Sequence, residues 1–366
     1  MVKKLIVFVA TVCSLALVFF IFFEGLASCI LFVKLFRTHA QRPLDERKHT
    51  HFDPMLGWSN IPGRQCKDIY RKGANVTIND QGFRALYDYT KEQPPGKIRI
   101  ICSGDSFTFG CGVDDKETWP YYLDTCDPRI ETINMGQGGY GTGQMYLNYC
   151  NTGVRFEHRI HIVAFIYFDF ERMQFDNFMR YPKPLLKLVD GVPVPVNTPL
   201  KKRSFILPYI IDHIRTFKYL RSVELMRSFF DSKYRAPTLA AFSQEKPTSA
   251  QDSGNHALAA AIFRRLVTEG KREGRETVFV YLPVKYDCQK TATSQSWRNA
   301  LQKIANDNNL LYFDLTDTFL AYSKDDIARF FISSSKNVRA AGHYSAEGNR
   351  FVAHEIYTRL QENGLL

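Results

Sequence analysis

Ile98-Arg99-Ile100-Ile101-Cys102-Ser103 is a short, β-branched and almost wholly apolar run, the pattern of a strand buried on both faces. Burial on both faces requires a sheet covered above and below, and such sheets are built from parallel strands with helices in the crossovers. Gly104 breaks the run, Asp105-Ser106 follow, and Gly110 and Gly112 close the loop. A junction of this kind lifts one side chain, that of Ser106, to the carboxyl edge of the sheet, where open α/β folds place their chemistry. Further apolar runs at 130–134, 160–167, 277–282 and 310–313 alternate with stretches of helical periodicity, which predicts a parallel sheet between two helical layers.

The helices are expected over Trp119–Leu123, through Tyr149, and over His256–Arg272, Ser294–Asn306 and Ala346–Gln361. Between Met179 and Gly254 the rhythm changes. Leu186–Val194 reads as a hairpin turning on Asp190-Gly191, Phe205–Phe230 as mostly helical, and Pro237–Asn255 as a polar linker. The segment at about 179–255 is therefore read as an insertion, a candidate cap over the site. Upstream, 52–96 is a turn-rich extension of short strands and loops ending at Pro94-Pro95-Gly96. The α/β domain is expected over 97–366, with a linker at 37–51.

Residues 1–36 belong to another solvent class. After Lys3 and Lys4, Leu5–Phe23 carries no charge and has the length that spans a bilayer as a helix. A retained signal anchor, a cleaved secretory signal and a lipoprotein signal, in which Leu26-Ala27-Ser28-Cys29 resembles a lipobox, all leave the bulk of the chain outside the cytoplasm. The formal charge of +11 is scattered, with no nucleic-acid module signature. It suits a basic surface near anionic lipid or polysaccharide, and no DNA or RNA partner is expected. The eight cysteines show no Cys-x-x-Cys pair or zinc-finger spacing. They are either disulfide partners in an oxidising space or small buried hydrophobes.

Gly104-Asp105-Ser106-Phe107-Thr108-Phe109-Gly110 resembles the first block of the SGNH/GDSL hydrolases, whose nucleophile is the Ser of Gly-Asp-Ser. The competing reading is a Ser that caps a following helix. The resemblance implies a flavodoxin-like three-layer α/β sandwich with a parallel central sheet, here behind an N-terminal membrane helix. It implies Ser106 as nucleophile and His343, in Gly342-His343-Tyr344-Ser345-Ala346 before the last helix, as its base. The other histidines, among them His158, His161, His213, His256 and His354, lack that context.

The stretch Gly136-x-Gly138-x-x-Gly141 also matches the dinucleotide fingerprint of Rossmann folds. Against that reading, its strand does not open the domain, and Asp169 stands too late to be the ribose-binding acid. As the second SGNH block, the same stretch makes the backbone N–H of Gly139 a partner of the Ser106 N–H in an oxyanion hole. Two departures stand out. The third block's Asn is missing beside Asp169, which leaves Asp105, Asp169 and Arg172 as candidate supporting residues, with Arg172 able to replace the donor. The acid expected before His343 is also missing, because Ala340 and Ala341 occupy its positions. A backbone carbonyl, or Asp314 or Asp317, would then have to orient the imidazole.

Leu56-Gly57-Trp58 and Ile78-Asn79-Asp80-Gln81-Gly82-Phe83-Arg84 resemble motifs of the membrane-anchored bacterial branch of that family. The resemblance implies a serine esterase or O-acyltransferase acting on acyl esters of cell-surface polysaccharide, with no metal or organic cofactor. The alternatives are a catalytically decayed glycan-binding relative and the nucleotide-binding protein.

Overall fold

A computed structural model describes residues 2–46, 48–178, 181–202, 210, 213–214, 220–230, 249–289, 292–333 and 340–366. The chain divides into two compact units, one made of 1–45 with 203–246, the other of 46–202 with 247–366.

The second unit is organised by a five-stranded sheet. Its strands are β1 (Ile98–Ser103), β2 (Ile130–Asn134), β3 (Ile160–Phe165), β4 (Glu276–Tyr281) and β5 (Leu311–Asp314). They lie in the order β5-β4-β3-β1-β2 and every pair is parallel. This is the flavodoxin-like doubly wound order, in which β1 and β3 are neighbours whose connections leave in opposite directions. Each residue of β1 and of β3 is buried, as the apolar runs required. Arg99, fully buried within β1, is tolerated because its guanidinium pairs with Glu131 at 2.5 Å and donates to the carbonyls of Thr90, Lys91 and Glu157.

In the first unit, α1 (Val2–Glu46) is one continuous helix. Its Val2–Lys34 portion is long and apolar enough to cross a membrane. In the second unit, α2 (Ser106–Phe109) follows β1 and α3 (Trp119–Cys126) leads to β2. Next come α4 (Thr142–Asn151) and α5 (Tyr167–Glu171), which starts directly after β3. The run at 160–167 is thus a strand that turns helical at Tyr167, two residues before the buried Asp169. Of the 205–230 stretch, residues 210 and 213–214 are helical and α6 (Arg221–Phe230) is a helix, all in the first unit; much of the rest of that stretch lies outside the described residues. Helix α7 (Ser249–Arg272) starts seven residues earlier than its apolar periodicity indicated, because Ser, Asp and Asn in a first turn read as linker although they also suit a helix start. Helices α8 (Ala292–Asn308) and α9 (Ala346–Glu362) complete the alternation. Helices α3 and α9 pack together on one face of the sheet, and α4, α7 and α8 on the other. The Leu186–Val189/Val192–Pro195 hairpin forms as expected on Asp190-Gly191, and none of the eight cysteines is in a disulfide.

Candidate active site

The site is built where the sheet reverses its winding, outside the carboxyl ends of β1 and β3. Asp105 caps α2, its Oδ1 accepting the Phe107 N–H at 2.8 Å, so the chain turns sharply out of β1 and Ser106 becomes the first helical residue. Gly110 ends the helix in the left-handed region, at φ 86°. The sharp turn needs a bare backbone at Gly104, where a Cβ would lie 1.9 Å from Thr108 Oγ1.

Ser106 and His343 meet although 237 residues separate them. His343 Nε2 lies 2.9 Å from Ser106 Oγ, and Nδ1 lies 3.2 Å from the Ala340 carbonyl oxygen. A carbonyl can only accept, so Nδ1 carries the proton and Nε2 presents its lone pair to the serine hydroxyl. The loop is held on both sides of His343. The Ile332 N–H donates to the His343 carbonyl and the Gly342 N–H to the Ile332 carbonyl, while Tyr344 donates its hydroxyl proton to the Pro283 carbonyl. Ser345 then caps α9, and the imidazole lies against the Phe107 ring at 4.8 Å. Of the proposed orienting groups, it is the backbone carbonyl that reaches the imidazole. Asp314 pairs instead with Arg298 at 2.6 Å, and Asp317 is largely exposed.

The glycine-rich loop follows β2. Gly139 adopts φ +76°, and a Cβ there would strike Phe178 at 2.5 Å. The Gly136 Cβ position is filled by the Phe109 backbone and that of Gly141 by Asp169 and Arg172. These glycines allow protein to approach protein, whereas a dinucleotide cradle needs the space for a pyrophosphate. The loop is tied down by the Gln137 N–H to the Gly104 carbonyl and by Asn134, which bridges the Gly136 N–H and the Thr108 carbonyl. Among the described residues, the N–H groups of Ser106 and Gly139 donate to no other protein group.

Asp105, Asp169 and Arg172 form one network. Arg172 Nη1 lies 2.6 Å from Asp169 Oδ1, 3.5 Å from Asp105 Oδ2 and 2.9 Å from the Tyr140 carbonyl oxygen. Both carboxylates are fully buried. Burial, with Asp105 close by, pushes the Asp169 carboxyl well up from its ordinary value, and Arg172 opposes the shift. Asp169 is therefore no solvated strand-end acid, and the Nη1 of Arg172 is committed to these acceptors instead of being a spare donor. Its guanidinium also covers the Phe178 ring at 4.8 Å.

Both N-terminal motifs buttress this site, which the sequence reading had not assigned to them. Buried Arg84 pairs with Asp115 at 3.0 Å and donates to the carbonyls of Phe109, Gly110, Val113 and Asn75, closing the end of α2. Trp58 donates its indole N–H to the Gly138 carbonyl, and Tyr140 its hydroxyl proton to the Trp58 carbonyl. Trp58 and Phe178 stack on one another beside Gly139, and Tyr181 packs edge-on against Trp58. The remaining histidines lie elsewhere. His158 and His161 form a buried cluster with Tyr149, His256 packs on Trp297, His213 lies in the first unit, and His354 is on α9.

No protein-family model matches the chain, and neither does any curated protein sequence. Solved structures do. A lipolytic protein of the G-D-S-L family from Veillonella parvula is 14% identical, covering 72% of this chain and 97% of its own, at a TM-score of 0.36. An acetyl xylan esterase is 14% identical over 71% and 98%, at 0.37. A variant of an acetyl-xylooligosaccharide esterase from Geobacillus is 12% identical over 72% and 94%, at 0.38. Solved structures that resemble this chain thus include G-D-S-L lipolytic proteins and acetyl xylan esterases.

Proposed function

We propose that the chain is a membrane-anchored, extracytoplasmic serine esterase or acyl-transfer enzyme acting on O-acyl esters of cell-surface polysaccharide. One observation carries the reading: Ser106 Oγ lies 2.9 Å from an imidazole whose other nitrogen is held by the Ala340 carbonyl. A free serine hydroxyl is a poor nucleophile at neutral pH, and a base within hydrogen-bond reach is what activates it.

In the proposed reaction, His343 Nε2 takes the hydroxyl proton as Oγ attacks the ester carbonyl. The N–H groups of Ser106 and Gly139 hold the oxyanion that forms, and the imidazolium then gives its proton to the departing alcohol. The acyl-enzyme passes to water in a hydrolase, or to a second sugar hydroxyl in a transferase, with His343 again accepting the proton. A carbonyl fixes the tautomer as a carboxylate would, but stabilises the imidazolium less, so turnover is expected to be slow. Asp105, Asp169 and Arg172 keep the α2 turn and the Gly139 loop in register. The anchor reading is supported by Val2–Lys34, whose length and apolarity suit a bilayer span.

The test is hydrolysis of p-nitrophenyl acetate, with covalent labelling by a serine-reactive phosphonate, on the full chain in detergent. Wild type is expected to turn over and to label. Ser106→Ala is expected to lose both, and His343→Ala to lose at least about a hundredfold in rate. Turnover unchanged in Ser106→Ala, or a wild type that neither turns over nor labels, would overturn the assignment.

A further inference from the structure

We propose that Lys183 is a positioning residue of the reaction: its buried ammonium closes the loop 172–184 and so sets Phe178 against Gly139, the glycine whose N–H is to hold the oxyanion. This rests on the esterase chemistry proposed above, and every contact involved lies within the sheet-bearing unit.

Lys183 is 2% exposed, and lysines are almost never buried so far without partners. An ammonium carries three protons and no acceptor. Lys183 Nζ lies 2.9 Å from the Arg172 carbonyl oxygen, 2.9 Å from that of Phe175 and 3.3 Å from that of Pro184, one acceptor for each proton. The first two stand at the end of the turn Arg172–Gln174 that continues α5, where carbonyls run out of helical donors and a lysine can supply them. Burial pushes the ammonium down to about 7, with Arg172 adding to the fall and Asp176 opposing it. One lysine thus joins the start of the loop to its end.

Between the two anchored ends, Asn177–Phe178 pairs with Tyr181–Pro182 and carries the Phe178 ring into the space a Cβ on Gly139 would need. The returning strand is gripped from outside as well. The Lys183 N–H donates to the Asp176 carbonyl at 2.8 Å, and the Asn197 amide donates to the Lys183 carbonyl at 3.0 Å. Gly57 offers it bare backbone, because a Cβ there would lie 2.3 Å from the Pro182 carbonyl oxygen. Arg172 links the lysine to the site a second time: its carbonyl accepts from Lys183, while its guanidinium serves Asp105 and Asp169 and covers Phe178. Among the described residues, Lys183 makes no hydrogen bond to Ser106 or His343, so its influence runs through Phe178 and Arg172. Desolvation of a buried charge offsets much of what its bonds contribute to stability. Loss of the ammonium should therefore loosen the loop more than it weakens the sheet.

The experiment is Lys183→Met in the full chain in detergent, with p-nitrophenyl acetate as substrate at about pH 6, where the ammonium form prevails. Both half-reactions pass through an oxyanion, so kcat is expected to fall at least about tenfold while KM stays within about twofold. Phe178→Ala should lower kcat in the same way, and adding Lys183→Met to it should cost little more, because the two act in series. Unchanged kcat in Lys183→Met overturns the proposal, and so does a double variant whose loss is the product of the two single losses. If Lys183→Met does not fold, as read by tryptophan fluorescence, Phe178→Ala decides alone: a kcat equal to wild type overturns the proposal. A wild type without turnover that depends on Ser106 refutes the esterase reading itself. Such turnover, undiminished in Lys183→Met, refutes only the role of the lysine.

Discussion

Arg172→Met is a substitution whose effect can be worked out from the site. The arginine is mostly buried and lies between two fully buried carboxylates, 2.6 Å from Asp169 and 3.5 Å from Asp105. Removing one partner of such a cluster leaves buried charge uncompensated, which costs about 3–5 kcal/mol. The cost should depend on pH. A carboxyl whose folded pKa lies above its unfolded value holds a proton in the folded state that the unfolded chain has released. Stability therefore falls as pH rises through the window that opens at the unfolded value, about 3.9, and closes at the folded one. Asp169 is already raised by burial and by Asp105, and loss of Arg172 raises it further. The penalty should thus shrink as pH falls through the window between the wild-type and variant folded values, by up to about 1.4 kcal/mol per unit for one proton. Denaturant unfolding read by tryptophan fluorescence is the assay, because Trp58, Trp119 and Trp297 all lie in the sheet-bearing unit. Adding Asp169→Asn to Arg172→Met should recover much of the loss, since an asparagine carbonyl can still accept the Ile166 N–H that Asp169 now takes at 3.0 Å. A penalty below about 1 kcal/mol, or one that does not change with pH, would refute the electrostatic account of the network.

Arg84→Met should destabilise the same unit by about 3–5 kcal/mol, by stripping Asp115 of its partner and the end of α2 of its donors; near-wild-type unfolding would show that these bonds are dispensable. Gly139→Ala forces a Cβ into Phe178 at positive φ and should lower esterase turnover more than it lowers stability, and Gly139→Ala with Phe178→Leu should recover only the clash. Acid should weaken the fold from about pH 6.5 downwards, because burial lowers His49 and His158 to about 4. The unfolded chain then binds the extra protons between those values, so stability rises with pH across the window and is lost as pH falls. Replacing both histidines with glutamine should make that limb of the unfolding-versus-pH curve shallower, with buried His161, which burial also lowers, supplying a remaining part.

Much of the sheet was readable because a strand buried on both faces leaves a local apolar signature. Ile130–Asn134 begins and ends as read, and the Ser106 junction lies where glycine and an acid interrupt the first such run. Polar sequence is less informative. Ser249 to Asn255 has the composition of a linker, yet it forms the first turns of α7, because the packing that makes it helical comes from residues further along. The pairing of Ser106 with His343 could be anticipated from a resemblance, but the means of holding the imidazole could not. A backbone carbonyl has no letter of its own, and Ala340 reads as an omission until its oxygen is seen beside Nδ1. Arg84 and Trp58 were noticed as motif letters, while their partners, carbonyls at the end of α2 and in the glycine loop, are again main-chain atoms. Side-chain types announce chemistry, and the groups that position them were in this case largely backbone.

Because Arg84 and Trp58 reach the site from residues ahead of β1, the folded site does not begin where its sheet begins. A truncation starting at residue 97 would keep each strand, the serine and the histidine. It would also expose the Phe109, Gly110 and Val113 carbonyls and remove the clamp on Gly138. His49, buried and stacked on Phe109 at 5.0 Å, extends the requirement nearly to the end of α1. Shortened versions made for solubility should therefore start just after residue 46, and the activity lost on cutting further in would measure how much of catalysis is architecture lent by the neighbouring segment.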